Sequence, residues 1–365
     1  MTESKNALER DALLERMLAS TRGTFLLLGA YIGVRLGLYE ALAATGSGGL
    51  TSEELASRTR TDERYIREWL EQQAVARVVQ VDDERADEKK RRYSLPPGHA
   101  EVLVDRESLN YLAPLPRLVV GALRPLPALL EAYRTGGGVP YAEYGNDLIE
   151  GQAAINRTMF LQQLGQEWIP AMPDVHARLQ TDPSARVADV GCGAGWSSIG
   201  LARSYPKIKV DGFDLDEASI ALARANRQFY GLNQRLEFQV RDAGDPQLAG
   251  RYDLVTAFEC IHDMSQPVAA LRAMHSLAGD HGTVLVVDER VGEDFAVEGN
   301  DVDWMMYGWS ILHCLPVGKA DEPSAETGTV MRPRVLRRYA EEAGFKKVEI
   351  LPIDNFFFRF YRLFP

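Results

Sequence analysis

Short apolar segments alternate with helical segments throughout the second half of the chain. Five of them have the length and composition of buried strands, namely residues 187–190, 209–216, 236–243, 252–259 and 283–289. Between the second and the third, Ile220, Leu222 and Ala223 recur at the spacing of one helix face. A helix at 335–343 and two strands at 347–353 and 356–364 close the chain. Strands that alternate with helices predict an α/β fold with a mostly parallel sheet.

The first hundred residues follow a different pattern. Residues 7–44 are helical and apolar around most of the helix circumference, so at a chain terminus we expect a partner subunit to cover them. A capped helix begins at Thr51, a second spans residues 62–74, and two short strands at 78–81 and 93–95 flank a charged tip. Helix, turn, helix and wing together predict a winged-helix module.

A winged-helix module either binds DNA or holds two subunits together. The second helix presents Arg64, Arg67 and Glu71, a mixed surface, whereas reading base edges needs a basic one. The net charge of -11 also argues against a nucleic-acid partner. Because the apolar stretch from residue 23 to 42 needs cover, we expect a homodimer formed through this domain.

Two further segments have the composition of a pocket cover. Residues 107–175 are mostly helical, are broken by prolines, and contain the glycine- and aromatic-rich segment 136–144. Residues 291–328 form a long aromatic excursion after the fifth strand, and such excursions usually bind ligands. The sequence therefore predicts an N-terminal domain at 1–105, a connector and pocket cap at 106–175, and a catalytic domain at 176–365.

Composition argues against several classes of protein. The three cysteines, with no C-x-x-C spacing, predict neither a disulfide framework nor a zinc site, and no histidine-acid cluster has the spacing of metal ligands. The apolar run 23–34 is too short to span a bilayer, and the first ten residues are too polar for a signal peptide. We expect a cytoplasmic protein with no metal and no membrane partner.

The strand at 187–190 runs directly into a glycine turn that is followed by a helix. Gly191, Gly193 and Gly195 bring backbone N–H groups and a helix N-terminus to a nucleotide-like ligand. Trp196 stands where a dinucleotide fold needs a small residue, and Asp189 places a carboxylate two residues before the first glycine. This arrangement favours a cationic ligand that carries an amino acid over a pyrophosphate.

The glycine turn and the acids after the next two strands resemble the class I S-adenosylmethionine-dependent methyltransferases. The resemblance is to the bacterial small-molecule, O-methyltransferase-like group with an N-terminal winged-helix dimerisation domain. It implies a Rossmann-like sheet of seven strands, closed by the C-terminal hairpin, and S-adenosylmethionine as cofactor. The cofactor-binding residues lie at the turn and at the strand ends: Asp189, Gly191, Gly193, Gly195, Asp214, Leu215, Asp242, Ala243 and Phe258.

The segment after the fourth strand carries the candidate base. His262-Asp263 resembles the His-Asp-Trp segment of small-molecule O-methyltransferases, with Met264 in place of the tryptophan. The resemblance implies that His262 is the general base and that Glu289, at the end of the neighbouring strand, orients it. Histidine suits proton removal near neutral pH. His313, among aromatic residues, is the rival base.

The sequence indicates a class of reaction and leaves the acceptor open. Aromatic and methionine-rich segments favour a planar or apolar small molecule, with candidate contacts at Tyr141, Trp304, Tyr307 and His313. O-methylation with His262 as base is the main hypothesis. Methylation of nitrogen or carbon in a small metabolite is an alternative. Another is a winged-helix transcriptional regulator that binds S-adenosylmethionine without turnover.

Overall fold

The structure is a computed structural model that describes residues 2–242 and 252–365, apart from the side chains of residues 2–4. The chain divides into two compact units. One comprises residues 1–120 with 150–155, and the other comprises residues 121–149 with 156–365. The predicted domain boundaries at residues 105 and 175 stay a prediction.

The helices and strands are numbered here in chain order. The helices are α1 (Thr2–Arg35), α2 (Leu38–Ala43), α3 (Ser52–Thr59), α4 (Glu63–Val75), α5 (Pro97–Leu103), α6 (Leu115–Leu123), α7 (Leu126–Thr135), α8 (Gly145–Gln162), α9 (Pro173–Gln180), α10 (Trp196–Ser204), α11 (Glu217–Phe229), α12 (Pro267–Ala278), α13 (Asp301–Trp309), α14 (Leu315–Gly318) and α15 (Pro333–Glu342). The strands are β1 (Gln80–Val81), β2 (Tyr93–Ser94), β3 (Arg186–Val190), β4 (Lys209–Asp214), β5 (Leu236–Val240), β6 (Leu254–Phe258), β7 (Thr283–Glu289), β8 (Lys347–Ile350) and β9 (Phe358–Phe364).

The N-terminal unit contains the predicted helix-turn-helix and wing. Thr51 caps α3 in a reciprocal capping box with Glu54, and Asp62 caps α4 by accepting backbone N–H bonds. Strands β1 and β2 pair antiparallel across the charged tip. The single helix predicted over residues 7–44 is wrong. Gly37 adopts a left-handed conformation (φ 67°) that ends α1 and starts α2.

Helix α1 packs on α4 through its glycines and exposes much of its apolar surface. Trp69 Nε1 donates a hydrogen bond to the Gly29 carbonyl at 2.8 Å, and a side chain at Gly33 would collide with Tyr39 and Trp69. Among the described residues one helical stretch, Lys5–Arg35, is long and apolar enough to cross a membrane by length and composition. This corrects the expectation drawn from residues 23–34 alone, because the helix extends well beyond that run.

The second unit is built on one seven-stranded sheet in the order β5-β4-β3-β6-β7-β9-β8. Strands β3 to β7 pair in parallel, and β9 runs antiparallel to both β7 and β8. The strands at the centre of the sheet are buried along their whole length, as expected where helices cover both faces. The predicted α/β sheet of seven strands is therefore confirmed, and its parallel part brings several strand ends to one edge.

Candidate active site

The glycine turn lies at the carboxyl end of the central strand β3. Gly191, Gly193 and Gly195 all have positive φ, at 67°, 50° and 79°. A Cβ on Gly191 would meet Cys260 and one on Gly195 would meet Phe238, whereas one on Gly193 would meet nothing within 4 Å. The turn therefore packs tightly at both ends and leaves space at its middle, just before α10 begins.

Asp189 is buried beneath this turn and bonds to protein hydroxyls. Ser197 and Ser198 each donate to Oδ2 at 2.6 Å, and Thr256 donates to Oδ1 at 2.9 Å. Burial raises the pKa of Asp189, and the three hydroxyls oppose that shift. The carboxylate ties the first turn of α10 to β3 and β6, so it holds the shape of the glycine turn. Its predicted contact with a ligand stays a prediction.

Asp214 ends β4 beside the glycine turn. The backbone N–H of Gly193 donates to its Oδ2 at 2.8 Å, and that of Asp216 donates to Oδ1 at 2.9 Å. Burial raises the pKa of Asp214. A carboxylate offers about four acceptor positions, and these two bonds use one on each oxygen. Asp214 therefore keeps acceptor capacity for the two hydroxyls of a ribose.

The other predicted cofactor contacts differ in exposure. Leu215 is 66% exposed directly after β4, whereas Phe258 is buried against Phe160, with ring centroids 5.1 Å apart. Asp242 is exposed just beyond the end of β5. The predicted third strand extends to residue 243, but β5 ends at Val240, and Ala243 lies outside the described residues. The roles of these residues stay predictions.

His262 lies in a short 3₁₀ turn after β6 and is surrounded by carboxylates. Its Nδ1 is 2.8 Å from Asp288 Oδ1 and 3.3 Å from Glu289 Oε2, and its Nε2 is 3.1 Å from Asp263 Oδ1. Because β6 and β7 are neighbours with Phe258 opposite Val287, their ends meet as predicted. The side chain nearest to Nδ1 is nevertheless Asp288 and not the predicted Glu289.

The charged groups of this cluster shift one another's pKa values. Burial alone lowers the pKa of His262, but Asp288, Glu289 and Asp263 together raise it well above the ordinary value. Burial and the neighbouring carboxylates raise the pKa of Glu289. Burial also raises the pKa of Asp263, but His262 outweighs it and the net shift is downward. The raised pKa of His262 and the lowered pKa of Asp263 both favour opposite charges on these two buried groups.

His313 lies close to this cluster in the π-helical turn Ser310–Cys314. Its Nδ1 is 3.5 Å from Sγ of Cys314, and its Nε2 has no hydrogen-bond partner among the described residues. Burial lowers the pKa of His313, which Asp263 partly opposes. Tyr144 and Tyr141 contact the ring edge-on, with ring centroids 4.6 and 5.7 Å away. The structure thus brings together Tyr141 and His313, two of the four predicted substrate contacts.

The other two predicted substrate contacts lie on α13 and are more exposed. Trp304 is 83% exposed, and Tyr307 accepts a hydrogen bond from Arg332 at 3.2 Å. Neither has a described contact with His262 or His313. Their predicted part in binding an acceptor stays a prediction.

Two groups of side chains bring potential metal-ligand atoms within 4.8 Å of one another in the described part of the chain. They are His262 with Asp263 and Cys314, and His262 with Asp288 and Glu289. The expectation that no such cluster exists is therefore wrong, because the members come from separate strand ends. His262 Nδ1 shares a hydrogen bond with Asp288 Oδ1 at 2.8 Å, and the absence of a metal stays a prediction.

Sequence reasoning missed Asp288 and Tyr144. Asp288 precedes Glu289 at the end of β7, and alternation along a strand buried on both faces does not show which of two consecutive acids faces β6. Tyr144 donates its hydroxyl proton to the Leu312 carbonyl at 2.9 Å across 168 residues of sequence. No local pattern predicts a contact over that distance.

Comparisons with known proteins confirm the predicted resemblance. Residues 181–314 match the family described as a methyltransferase domain, and residues 24–105 match the family described as an Rv2258c-like winged HTH domain. The ubiquinone biosynthesis O-methyltransferase of Marinobacter nauticus is 28% identical over 174 residues, which is 45% of this chain and 65% of that protein. The chain thus spans less than two thirds of this relative's length.

Two solved structures share the fold over nearly the whole chain. Human N-acetylserotonin methyltransferase in complex with S-adenosylmethionine is 18% identical, has a TM-score of 0.67, and covers 96% of this chain and 97% of its own. An O-methyltransferase from neocarzinostatin biosynthesis, in complex with S-adenosylmethionine and 2-hydroxy-5-methyl naphthoic acid, is also 18% identical. It has a TM-score of 0.61 and covers 93% of this chain and 95% of its own. At this identity these likenesses show the fold.

Proposed function

We propose that this chain, which joins a methyltransferase domain to an Rv2258c-like winged HTH domain, is an S-adenosylmethionine-dependent methyltransferase of a small molecule. The observation that carries the proposal is the edge formed by the glycine turn and Asp214. There the carboxylate and the backbone of Gly193 are already bonded to each other at 2.8 Å. Both solved structures named above contain S-adenosylmethionine, which supports this choice of cofactor.

The residues at this edge fit the cofactor. Gly193 leaves space where any side chain would stand, and Asp214 keeps acceptor capacity for hydroxyls. The hydroxyl-bound Asp189 holds the turn in place, and Leu215, Asp242 and Phe258 are the remaining proposed contacts in the described residues. When bound, S-adenosylmethionine supplies a methyl group on a sulfonium sulfur, and the electron pair of the broken bond stays on sulfur.

Calorimetry with S-adenosylmethionine and S-adenosylhomocysteine tests the cofactor directly. We expect both to bind at one site per chain, and NAD to give no heat. Tight binding of NAD with no heat from the other two would replace this proposal with a dehydrogenase.

We further propose that the acceptor atom is the hydroxyl oxygen of a planar molecule. Its proton must leave during transfer, and the site holds two buried histidines, His262 and His313, near Tyr141 and Tyr144. The names of the Marinobacter and neocarzinostatin relatives, both O-methyltransferases, support this choice. Incubation with methyl-labelled S-adenosylmethionine and matched sets of phenols and aromatic amines separates the classes. Label on the amines alone would contradict O-methylation.

We also propose that the protein is a homodimer assembled through α1 and works in the cytoplasm. Leu14, Leu18 and Phe25 on this helix are more than half exposed, so a second copy would cover apolar surface that otherwise faces water. The bond from Trp69 to Gly29 anchors the same helix to α4. Arg22 and Arg35 flank its most apolar run, residues 23–34. Light scattering should give the mass of two chains, whereas a monomer, or flotation of the protein with lipid vesicles, would contradict the proposal.

A further inference from the structure

One arginine joins the two ends of the excursion at 291–328. Arg332 stands just after the excursion, at the start of α15, and its Nη1 donates to the carbonyls of Gly292 at 2.6 Å and Asp294 at 2.7 Å. The same guanidinium is paired with Asp303 at 3.7 Å, and Asp303 Oδ1 accepts from the Gly292 backbone N–H at 2.7 Å. Both backbone groups of Gly292 are therefore held by one ion pair at the root of the excursion.

The ion pair at this root is buried. Arg332 is 6% exposed and Asp303 is 5% exposed. Removing two such charges from water is unfavourable, and apolar packing of the same volume often stabilises a protein as well or better. The bonds of the pair are directional, however, and they allow the joined segments one relative position. The pair is therefore better explained by the position that it fixes than by the stability that it adds.

Residues 301–318 leave the root as one helical arm, made of α13, the π-helical turn Ser310–Cys314 and α14. Arg332 Nη2 also donates to the Tyr307 hydroxyl of this arm at 3.2 Å. The apolar cluster beneath the arm is small, and its buried members are Val291, Val302 and Met306. Because few apolar side chains hold the arm, its position depends strongly on polar bonds.

The far end of the arm lies against the turn that carries His262. Sγ of Cys314 is within 4.8 Å of side-chain atoms of His262 and Asp263. The adjacent His313 is 8% exposed, and its Nε2 has no hydrogen-bond partner in the described part of the chain. A buried imidazole nitrogen without a partner is costly unless a ligand meets it. The arm therefore presents His313, a predicted substrate contact, beside the candidate base.

Two bonds from the segment before α8 hold this far end in place. Tyr144, which is fully buried, donates its hydroxyl proton to the Leu312 carbonyl at 2.9 Å. The backbone N–H of Val139 donates to the Pro316 carbonyl, also at 2.9 Å. Together with the ion pair at the root, these bonds fix the arm at both ends, so a change at the root displaces the groups that the arm carries.

We propose that Arg332 is a positioning residue for acceptor binding, because it fixes the arm so that His313 meets the acceptor beside His262. The proposal rests on the proposed methyltransferase function and leaves His262 as the candidate base. Arg332 acts through the arm, since its described bonds go to the backbone and side chains of residues 292–307. Its loss therefore weakens binding of the acceptor and leaves the cofactor edge intact.

Hydrogen exchange tests the hold on the arm and needs no acceptor. Arg332→Lys keeps a cation beside Asp303 but loses the planar fork that reaches Gly292 and Tyr307 together. Amides in peptides from residues 301–318 should exchange about 10-fold faster or more than in the wild type, while peptides from β6 and β7 exchange as before. Unchanged exchange in the arm would overturn the proposal, whether or not the protein turns over.

Steady-state kinetics tests the effect on the acceptor. The probe is a phenol of the panel above that the wild type methylates, beginning with catechol. Arg332→Lys should raise KM for this phenol about 10-fold or more and change kcat by less than about 3-fold, because His262 and the reacting atoms stay in place. Calorimetry should give wild-type affinity for S-adenosylmethionine. A fall in cofactor affinity equal to the rise in KM would mean that Arg332 supports the whole fold, and would overturn the proposal.

A neighbouring arginine provides the matched control. Arg334 bonds to the Asp294 side chain at 2.9 Å, but its own side chain is 68% exposed, so Arg334→Lys should change neither the exchange of the arm nor KM. If Arg332→Lys does not fold, Arg332→Met combined with Asp303→Asn takes its place. That variant removes both charges of the buried pair together, and the same rise in exchange and in KM is expected.

The outcomes separate this proposal from the methyltransferase proposal. Unchanged KM in Arg332→Lys, with normal binding of S-adenosylmethionine, would refute the positioning role alone. Binding of S-adenosylmethionine by the wild type without methylation of any phenol would refute the proposed acceptor and the positioning role with it. No binding of S-adenosylmethionine by the wild type would refute the methyltransferase proposal itself.

Discussion

The cluster around His262, at the ends of β6 and β7, and helix α1 both depart from the usual pattern of buried apolar and exposed charged residues. They depart from it in opposite directions. At the carboxyl edge of the sheet, charged groups are buried, with His262 2% exposed between carboxylates. Along α1, large apolar side chains are exposed, with Phe25 61% exposed. A buried charge is tolerated only when its partners lie in the same structure, whereas an exposed apolar row needs cover from outside. The charged groups of the first region are partnered within one chain, whereas the second region is the proposed dimer contact.

Sequence patterns alone do not distinguish apolar residues that are buried within the chain from apolar residues that stay exposed, nor buried acids from surface acids. The apolar residues of α1 and those of β6 both predict burial, but only β6 finds its cover within the same chain. The acids of the strand ends have the composition of a protein surface, but Asp189 and Asp288 are fully buried. Each exception coincides with a proposed function, the dimer contact in one region and the chemistry in the other.

The largest effect should come from removing one partner of the buried cation. Asp288→Ala leaves His262 without its closest carboxylate, and breaking a buried pair in this way costs about 3–5 kcal/mol of the free energy of unfolding. Denaturant unfolding measures the loss. The exposed Asp280→Ala on the same sheet unit should change stability by less than about 0.5 kcal/mol. Equal stabilities of the two variants would show that the cluster is not a coupled ion pair.

The exposed apolar row of α1 gives the next effect. Leu18→Glu with Phe25→Glu places two charges where large side chains otherwise contribute about 1.5–3 kcal/mol each when buried. We expect self-association to weaken about 100-fold or more, measured by light scattering across a dilution series. Phe229→Glu on α11, also a strongly exposed aromatic position, should leave the mass unchanged. If the double variant keeps the mass of the wild type, another surface joins the subunits.

A smaller effect should come from Asp214, the proposed ribose-binding acid. Asp214→Ala removes the acceptor for two hydroxyls and also the bond from Gly193, so binding of S-adenosylmethionine should weaken by about 1–3 kcal/mol. Titration calorimetry measures this change. Glu237→Ala, an exposed acid on the neighbouring strand β5, is the control and should bind normally. If Asp214→Ala binds S-adenosylmethionine as tightly as the wild type, this carboxylate is not part of the cofactor site.

The pH dependence of stability gives the smallest and most specific effect. The pKa of His262 is raised in the folded state, so between the two pKa values the folded state binds a proton that the unfolded state releases. The stabilisation from this proton is full below the unfolded pKa near 6.5 and is lost as the pH rises through the folded pKa. Between pH 7 and that folded value, wild type should lose up to about 1.4 kcal/mol per pH unit relative to His262→Gln. Parallel stability curves for the two proteins would mean that His262 is neutral when folded.

Local patterns in the sequence predicted the framework of the site. The strand before the glycine turn, the turn itself and the acid at the end of β4 are near neighbours in sequence, and their spacing follows from backbone geometry. The capping box at Thr51 and the ends of β6 and β7 were predictable for the same reason. Strands that pair in parallel bring their carboxyl ends together, so His262 and Glu289 had to lie close to each other.

Only the tertiary structure decided which groups touch within that framework. It placed Asp288 and not Glu289 nearest to Nδ1 of His262, and it set Asp263 against Nε2. It also carried Tyr141 and Tyr144 to His313 across more than 160 residues. Side-chain direction at a strand end and the path of a long excursion depend on packing against distant elements. The sequence by itself therefore determined the fold class and the acids and glycines of the proposed cofactor edge, while the side chains that surround the two histidines come from elements that only the folded chain brings together.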